Sequence, residues 1–486
     1  MMKVEILNST HNTMSFKTYR KSVTVFFAVF FLIGLHISSA QAVVNSLDEL
    51  MPYLEKDNVE VKLAPGVYSI TAADVKKGQY QQELKIKNIT KVLLLFKGNN
   101  STYDFTDVTI KVETKVLQAY GKVQVHELQI IGNNNVLKNL TLVDDGSVYD
   151  APTRRATNIV IDGKENRVEG FHVTTKGSFP YGYGDAFGKG GKVVIKHQKH
   201  SACLIRGESN HLKNSTFIHR SYGHCLFMQA ASNPTIEGCT VEGEVRKTDD
   251  MLAETSGPAF DVGFMTAWGY KLPTGYMLST GEAGIRAYNA GETIIDGKVY
   301  KRGTSNPTIL NCTIKYMRTG VTLAHATGNK KVKNCVIIGC ENGFSLGSGT
   351  VVNCKADCAY GPVYSTTYEN DKNYNAEITI IPAIDPYYNG SGTVAYIGGS
   401  GHHITLRGTD EVVKEGLRIK VGGEKNNIRL QHGNFPHQND FKGGSFQIKN
   451  LTNYPIFLSA KSSHVTGESI GEISDLGTNN NIKHIK

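Results

Sequence analysis

The chain has little that would hold it in a membrane or on a nucleic acid. Its one long apolar run, residues 23–35, is too short for a comfortable span, and nothing later resembles one. No Cys follows the small residues Ser39-Ala-Gln-Ala42, which removes the usual lipid attachment. Basic runs interleaved with aromatics are also missing, so the nucleic-acid class is set aside. Tryptophan is scarce, with a single residue at position 268. Acidic residues are outnumbered, 44 against 53 basic, for a formal charge of +9, and this favours an acidic partner.

The first part of the chain reads as an export leader. Lys17, Arg20 and Lys21 precede the apolar run, and Ser39-Ala-Gln-Ala42 offers a small-residue cleavage site, with Met14 as an alternative start. Residues 1–42 are therefore expected to be removed, leaving one β-helical domain over residues 43–486. That mature chain should be secreted or periplasmic, not inserted in a membrane, and monomeric.

What the chain has in abundance is a repeated phrase. Asn210-His-Leu-Lys-Asn214-Ser-Thr-Phe217 is followed by Asn233-Pro-Thr-Ile-Glu-Gly238-Cys-Thr-Val241. The same grammar places an Asn or Gly at 139, 170, 214, 238, 311, 334 and 353, with tight intervals of 24, 23 and 19 residues. Such a period, carried by short apolar alternations, suits one coil of a β-solenoid better than a helical repeat. A second strand begins after a Gly at Gly223, Gly320 and Gly343, because Gly supplies turn dihedrals other residues resist. These features predict an all-β fold, a single-stranded right-handed parallel β-helix.

Stacked coils lie about 4.8 Å apart, so equivalent residues form columns. Asn139, Asn214, Asn311, Asn334 and Asn353 are expected to bond up and down such a column. Cys239, Cys312, Cys335 and Cys354 should form a packed interior column. Of the eight Cys, a bridge between Cys354 and Cys358 or between Cys335 and Cys340 is left open.

Ser46, followed by Leu47, Leu50, Met51 and Leu54 at helical spacing, predicts a short helix plugging the open end of the core. A long inserted loop, 247–281, carries Trp268 and is expected to fold over the mouth of the coil to which Arg286 belongs. A Gly/Tyr/Phe-rich loop at 176–191 either stacks on a ligand or packs on its own coil. Coils become less regular from about residue 360, and the last eight residues should be loose.

The turn after each phrase is expected to face solvent and to gather chemistry. In chain order it holds His219, Arg220 and Tyr222, then Glu242, Glu244, Arg246 and Lys247, then Tyr316 and Arg318, then Glu341. Lys199 and His200 are further groove candidates, and His224 either joins them or points inward as a core residue. For β-elimination of a uronic-acid polysaccharide, Lys247, His219 or Tyr222 would be the base, with Arg220 or Arg286 acting on the carboxylate or the leaving oxygen. Arg246, Tyr316, Arg318, Lys199, His200 and Trp268 would bind the polymer. Glu242 and Glu244, flanking Gly243, could hold a hard cation such as Ca²⁺.

The opening over residues 45–70, helix, strand and Pro65-Gly66-Val-Tyr68, resembles the N-terminal cap of exported β-helix carbohydrate enzymes. With the coils and Glu242-Gly-Glu244, the chain resembles the pectate-lyase-like superfamily, and in part the chondroitinase B and alginate lyase group. The resemblance implies a polysaccharide lyase with a calcium site, a basic Lys and an acidic Arg. Two readings stand beside it: a glycoside hydrolase using carboxylates such as Asp249, Asp250 or Glu254, although no dense Asp triplet occurs, and a non-catalytic glycan-binding β-helix.

Overall fold

The phrase Asn-x-x-x-Asn/Gly proves to be one bend of a coil. In a computed structural model, the residues described are 41–85, 89–146, 155–188, 194–366, 371–408, 414–424 and 441–486. Residues 1–40 of the expected leader, with the start at Met14, lie outside them; Ala42, its last residue, opens the first strand, Ala42–Val44, which pairs parallel with Glu60–Leu63. Each phrase contributes two short strands, such as His211–Lys213 and Thr216–His219, joined at an Asn or Gly in the left-handed region. Asn214 has φ 48°, Asn334 φ 55° and Gly238 φ 62°. Only Asn, Asp and Gly adopt that conformation cheaply, and this explains the residue choice.

Stacking these strands builds a bent sheet of 22 strands among the described residues. A second sheet of 14 strands faces it, running in spatial order through Lys199–Glu208, Leu226–Ser232, Ala283–Ala287 and Thr319–Thr322. The registers make core columns. Val168, Leu212, Ile236, Ile309, Val332 and Val351 stack in the first sheet, opposite Cys203, Leu226, Ile285, Val321 and Phe344 in the second. All are buried. Arg286 lies beside Phe227 of the preceding coil and Thr322 of the next, on the coil assigned to it.

The capping helix forms as Leu47–Leu50, with the Ser46 side chain accepting the Glu49 N–H and Leu47, Leu50 and Leu54 buried against the core. The Asn column holds only downstream, where Asn334 donates to Asn311 and Asn353 donates to Asn334 at 3.0 and 2.8 Å. Upstream it is broken by Gly170 and Gly238, where a Cβ would meet the Asn139 and Asn214 side-chain oxygens at 2.5 and 2.3 Å. A second, buried ladder runs through Asn135, Asn166 and Asn210, whose side-chain oxygens accept the backbone N–H of Ser101, Asn135 and Asn166. All eight Cys are free and buried, so neither candidate bridge exists.

The end of the chain is not loose. Asn481–His484 pairs parallel with Ser462–Ser469 and adds the last strand. No described helix is long and apolar enough to cross a membrane.

Candidate functional site

The inserted loop leaves the coil through an antiparallel ribbon, Val245–Lys247 against Met277–Ser279. It closes on its own apolar cluster of Tyr183, Phe187, Met251, Ala259, Leu272, Tyr276 and Leu278. Trp268 packs against this cluster with its ring stacked on Tyr270 at 6.2 Å. Residues 176–188 of the Gly/Tyr/Phe-rich loop pack on the inserted loop rather than on their own coil, since Tyr183 and Phe187 belong to that cluster; residues 189–191 lie outside the described residues.

Many residues expected to face solvent are instead used to pin this lid. His219 is 1% exposed, its Nε2 at 3.0 Å from the Gly223 carbonyl, and burial holds its pKa down to about 4. Tyr222, also 1% exposed, donates its hydroxyl to Asp185 Oδ1 at 2.6 Å, and burial raises its pKa. Arg318 is buried and ion-paired to the other Asp185 oxygen, with its pKa lowered to about 10 by burial. Glu341 is buried too and accepts the Ser279 N–H at 2.6 Å. Arg246 bonds Glu254 at 2.8 Å and the Gly182 carbonyl at 3.1 Å. Tyr316 reaches Asp385 at 3.4 Å, and the Lys247 ammonium lies 5.6 Å from the Tyr388 ring centre. His200 is 1% exposed and faces Glu127 and Asp144 rather than a groove.

The calcium site assigned to Glu242 and Glu244 does not fit. Arg220 already supplies the positive charge there, bonding Glu242 Oε1 and the carbonyls of residues 242 and 243 at 3.0, 3.0 and 2.8 Å. Glu244 Oε2 accepts the Tyr181 hydroxyl at 2.6 Å. The oxygens a cation would need are turned toward a guanidinium and a phenol.

A different group converges on the outer face of the second sheet. Glu282 and Tyr288 flank the strand Ala283–Ala287 and form one outward row with its Arg286 as the chain returns from the lid, while Gly284 sits close against Ile314 of the core. The neighbouring coils add His224 and Lys199. His224 Nδ1 accepts the Ala283 N–H at 3.2 Å, which leaves the ring proton on Nε2, 2.5 Å from the Tyr288 hydroxyl. Glu282, 1% exposed, lies 2.9 Å from Lys199 Nζ and 3.5 Å from His224 Nε2. The Arg286 guanidinium stands 4.6 Å from the Tyr288 ring centre, and its Nε has no hydrogen-bond partner among the described residues. Val160, Leu204 and Phe227 form an apolar floor against which Tyr288 packs. His197 stacks on Tyr222 with ring centres 4.1 Å apart, its pKa held down to about 4 by burial and then by Lys199.

The structure thus brings Lys199, His224 and Arg286 together and separates them from the lid-neck set of Arg220, Glu242, Glu244, Arg246 and Lys247. Glu282 and Tyr288 were missed, although their even spacing from Arg286 was readable in the sequence.

The family model described as a right-handed β-helix region matches residues 128–410, more than half of the chain. The chain belongs to the right-handed β-helix family. The superfamily resemblance read from the coils therefore holds, and the two facing sheets are two sides of one β-helix. No curated protein sequence matches the chain. Solved structures with similar folds include the Azotobacter vinelandii mannuronan C-5 epimerase AlgE6 A-module, at 10% identity and TM-score 0.39, covering 88% of this chain and 90% of that one. A mannuronic acid specific polysaccharide family 6 lyase from human gut microbiota gives 12% identity and TM-score 0.38, covering 92% and 82%. The catalytic domain of a GH87 α-1,3-glucanase gives 11% identity and TM-score 0.36, covering 91% and 68%. Likenesses this distant carry no argument about what this β-helix acts on.

Proposed function

We propose that this β-helix protein is a polysaccharide lyase that cleaves a uronic-acid polymer by β-elimination on the outer face of its second sheet. The observation that carries the reading is the Tyr288 hydroxyl held at 2.5 Å by His224 Nε2 beneath the Arg286 guanidinium. An Nε2–H donor and a nearby cation both stabilise negative charge on the phenolic oxygen. Tyr288 is therefore the base and then the acid. It takes the C5 proton of the uronate, the C5–H electrons form the C4=C5 double bond, the C4–O4 bond breaks, and the phenol returns the proton to O4.

Proton removal beside a carboxylate needs that carboxylate neutralised. Arg286 and the partly exposed Lys199 supply the charge, while Glu282 fixes Lys199 and His224 in place. Val160, Leu204 and Phe227 are buried beneath the Tyr288 ring and hold it in place. Three carboxylates a hydrolase would use are otherwise engaged: Glu242 with Arg220, Glu254 with Arg246, and Asp249 with Tyr388 and the Gly275 N–H. No step requires a metal at Glu242 and Glu244.

The test is to incubate the protein with alginate, pectate, chondroitin, heparin and a neutral glycan, following both unsaturated-uronide absorbance and reducing ends. Rising absorbance on one acidic polymer supports the lyase. Reducing ends without absorbance would replace it with the hydrolase, and binding with neither signal would replace it with the glycan-binding reading.

A further inference from the structure

Away from that face, where the first sheet turns toward the second, three ionisable side chains meet in the dry interior. Glu127, Asp144 and His200 are 3%, 1% and 1% exposed, and one donor atom from each lies within 4.8 Å of the others. Their outer atoms are already bonded. Asn158 Nδ2 donates to Glu127 Oε2 at 2.8 Å and to Asp144 Oδ2 at 3.1 Å, and the Lys176 N–H donates to Asp144 Oδ2 at 2.7 Å. Thr175 donates to Asn158 Oδ1 at 2.7 Å and fixes that amide.

His200 Nδ1 points at the Lys176 carbonyl, which can only accept, so Nδ1 carries the proton and Nε2 presents a bare lone pair. That lone pair faces Glu127 Oε1 at 3.7 Å. The separation is too long for a hydrogen bond, and a lone pair facing a carboxylate oxygen is repulsive with nothing between them. His200 Nε2 and Asp144 Oδ1 are both buried without a hydrogen-bond partner among the described residues. A histidine donating its other ring N–H to a backbone carbonyl is the arrangement that orients imidazole toward a metal.

We infer that Glu127, Asp144 and His200 form a buried binding site for a divalent first-row metal ion, with Zn²⁺ suited to its ligands. Bonds of about 2.0–2.2 Å from one ion to an imidazole nitrogen and a carboxylate oxygen bridge a gap of this width. An imidazole with two carboxylates favours such an ion over Ca²⁺, which prefers an all-oxygen shell. The ion would cancel two buried negative charges and tie Glu127 and His200 of the second sheet to Asp144 of the first. The site is separate from the outward row of Arg286 and Tyr288, and its role is structural. The rival arrangement is a shared proton: without an ion, burial and the Asp144 charge push the Glu127 pKa well above the usual carboxylate range.

The experiment strips the full protein with EDTA, measures residual metal, and titrates Zn²⁺ while following heat of binding and thermal unfolding. The expected result is one Zn²⁺ per chain, a melting temperature that rises on reloading, and at least a tenfold loss of affinity in His200→Gln. An unchanged melting temperature with no stoichiometric binding overturns the site in favour of the shared proton. Binding undiminished in a folded His200→Gln protein overturns it by placing the ion elsewhere. If that variant does not fold, the wild-type stoichiometry and melting shift still decide.

Discussion

His219 shows how burial redirects a residue whose type suggests chemistry. It stands in the sequence as a candidate base beside Lys247 and Tyr222, because it opens the turn that gathers Arg220, Tyr222 and Glu242. Its ring is sealed, however, and desolvation disfavours the charged form. His402 is buried in the same way against the Gly398 carbonyl, and its pKa is also lowered. Both stay neutral in the folded protein while the unfolded chain gains protons as the pH drops below about 6.5. Stability present above that pH is lost as it falls toward about 4, the folded value for His219. At pH 5 the loss from His219 is roughly 2 kcal/mol. Urea unfolding at pH 7.5 and pH 5 should show it, and a His219→Gln variant, if folded, should show a shallower fall; an equal fall would mean the ring is open to solvent.

At the scale of strands and turns, the coil was legible because its demands are local and repeated. A left-handed bend favours Asn or Gly, an interior column must be apolar, and the two recur at a readable period. The ladder at Asn135, Asn166 and Asn210 was missed because it opens the phrase, where any polar residue would have looked like a turn. The outward row was hidden for another reason. Glu282, Arg286 and Tyr288 meet His224 and Lys199 only across the lid insertion and across coils, while the even spacing on the strand was local but went unused. The turn column failed because facing outward from a coil is not the same as facing solvent once a lid lies on it.

The bend makes its own prediction. Asn334 has φ 55° and ladder bonds above and below. Asn334→Ala loses those bonds and strains the backbone, costing about 1–2 kcal/mol, whereas Asn334→Gly keeps the conformation and should cost less. Denaturant unfolding of the two variants checks the order, and Gly worse than Ala would refute the role given to the bend.

For the whole molecule, the proposed lyase reading requires an extended acidic ligand. The chain carries +9, and a β-helix offers a long sheet face along which a polymer can lie. Attraction between an anionic polymer and exposed cations is screened within about 10 Å at 0.1 M salt and within about 3 Å at 1 M. KM for an acidic polysaccharide should therefore rise severalfold over that range while kcat changes little. A salt-independent KM would argue that the polymer is held by stacking and neutral hydrogen bonds.

The central claim is that chemistry belongs to the outward row and not to the neck of the lid, and two variants measured side by side test it most directly. On whichever acidic polymer gives unsaturated product, Tyr288→Phe should lower kcat by about 10²- to 10⁴-fold with binding retained, the range expected on losing a positioned acid–base group. Lys247→Ala should stay within a fewfold of the parent. Full activity in Tyr288→Phe, with activity lost in Lys247→Ala, would contradict the account and return the site to the lid neck.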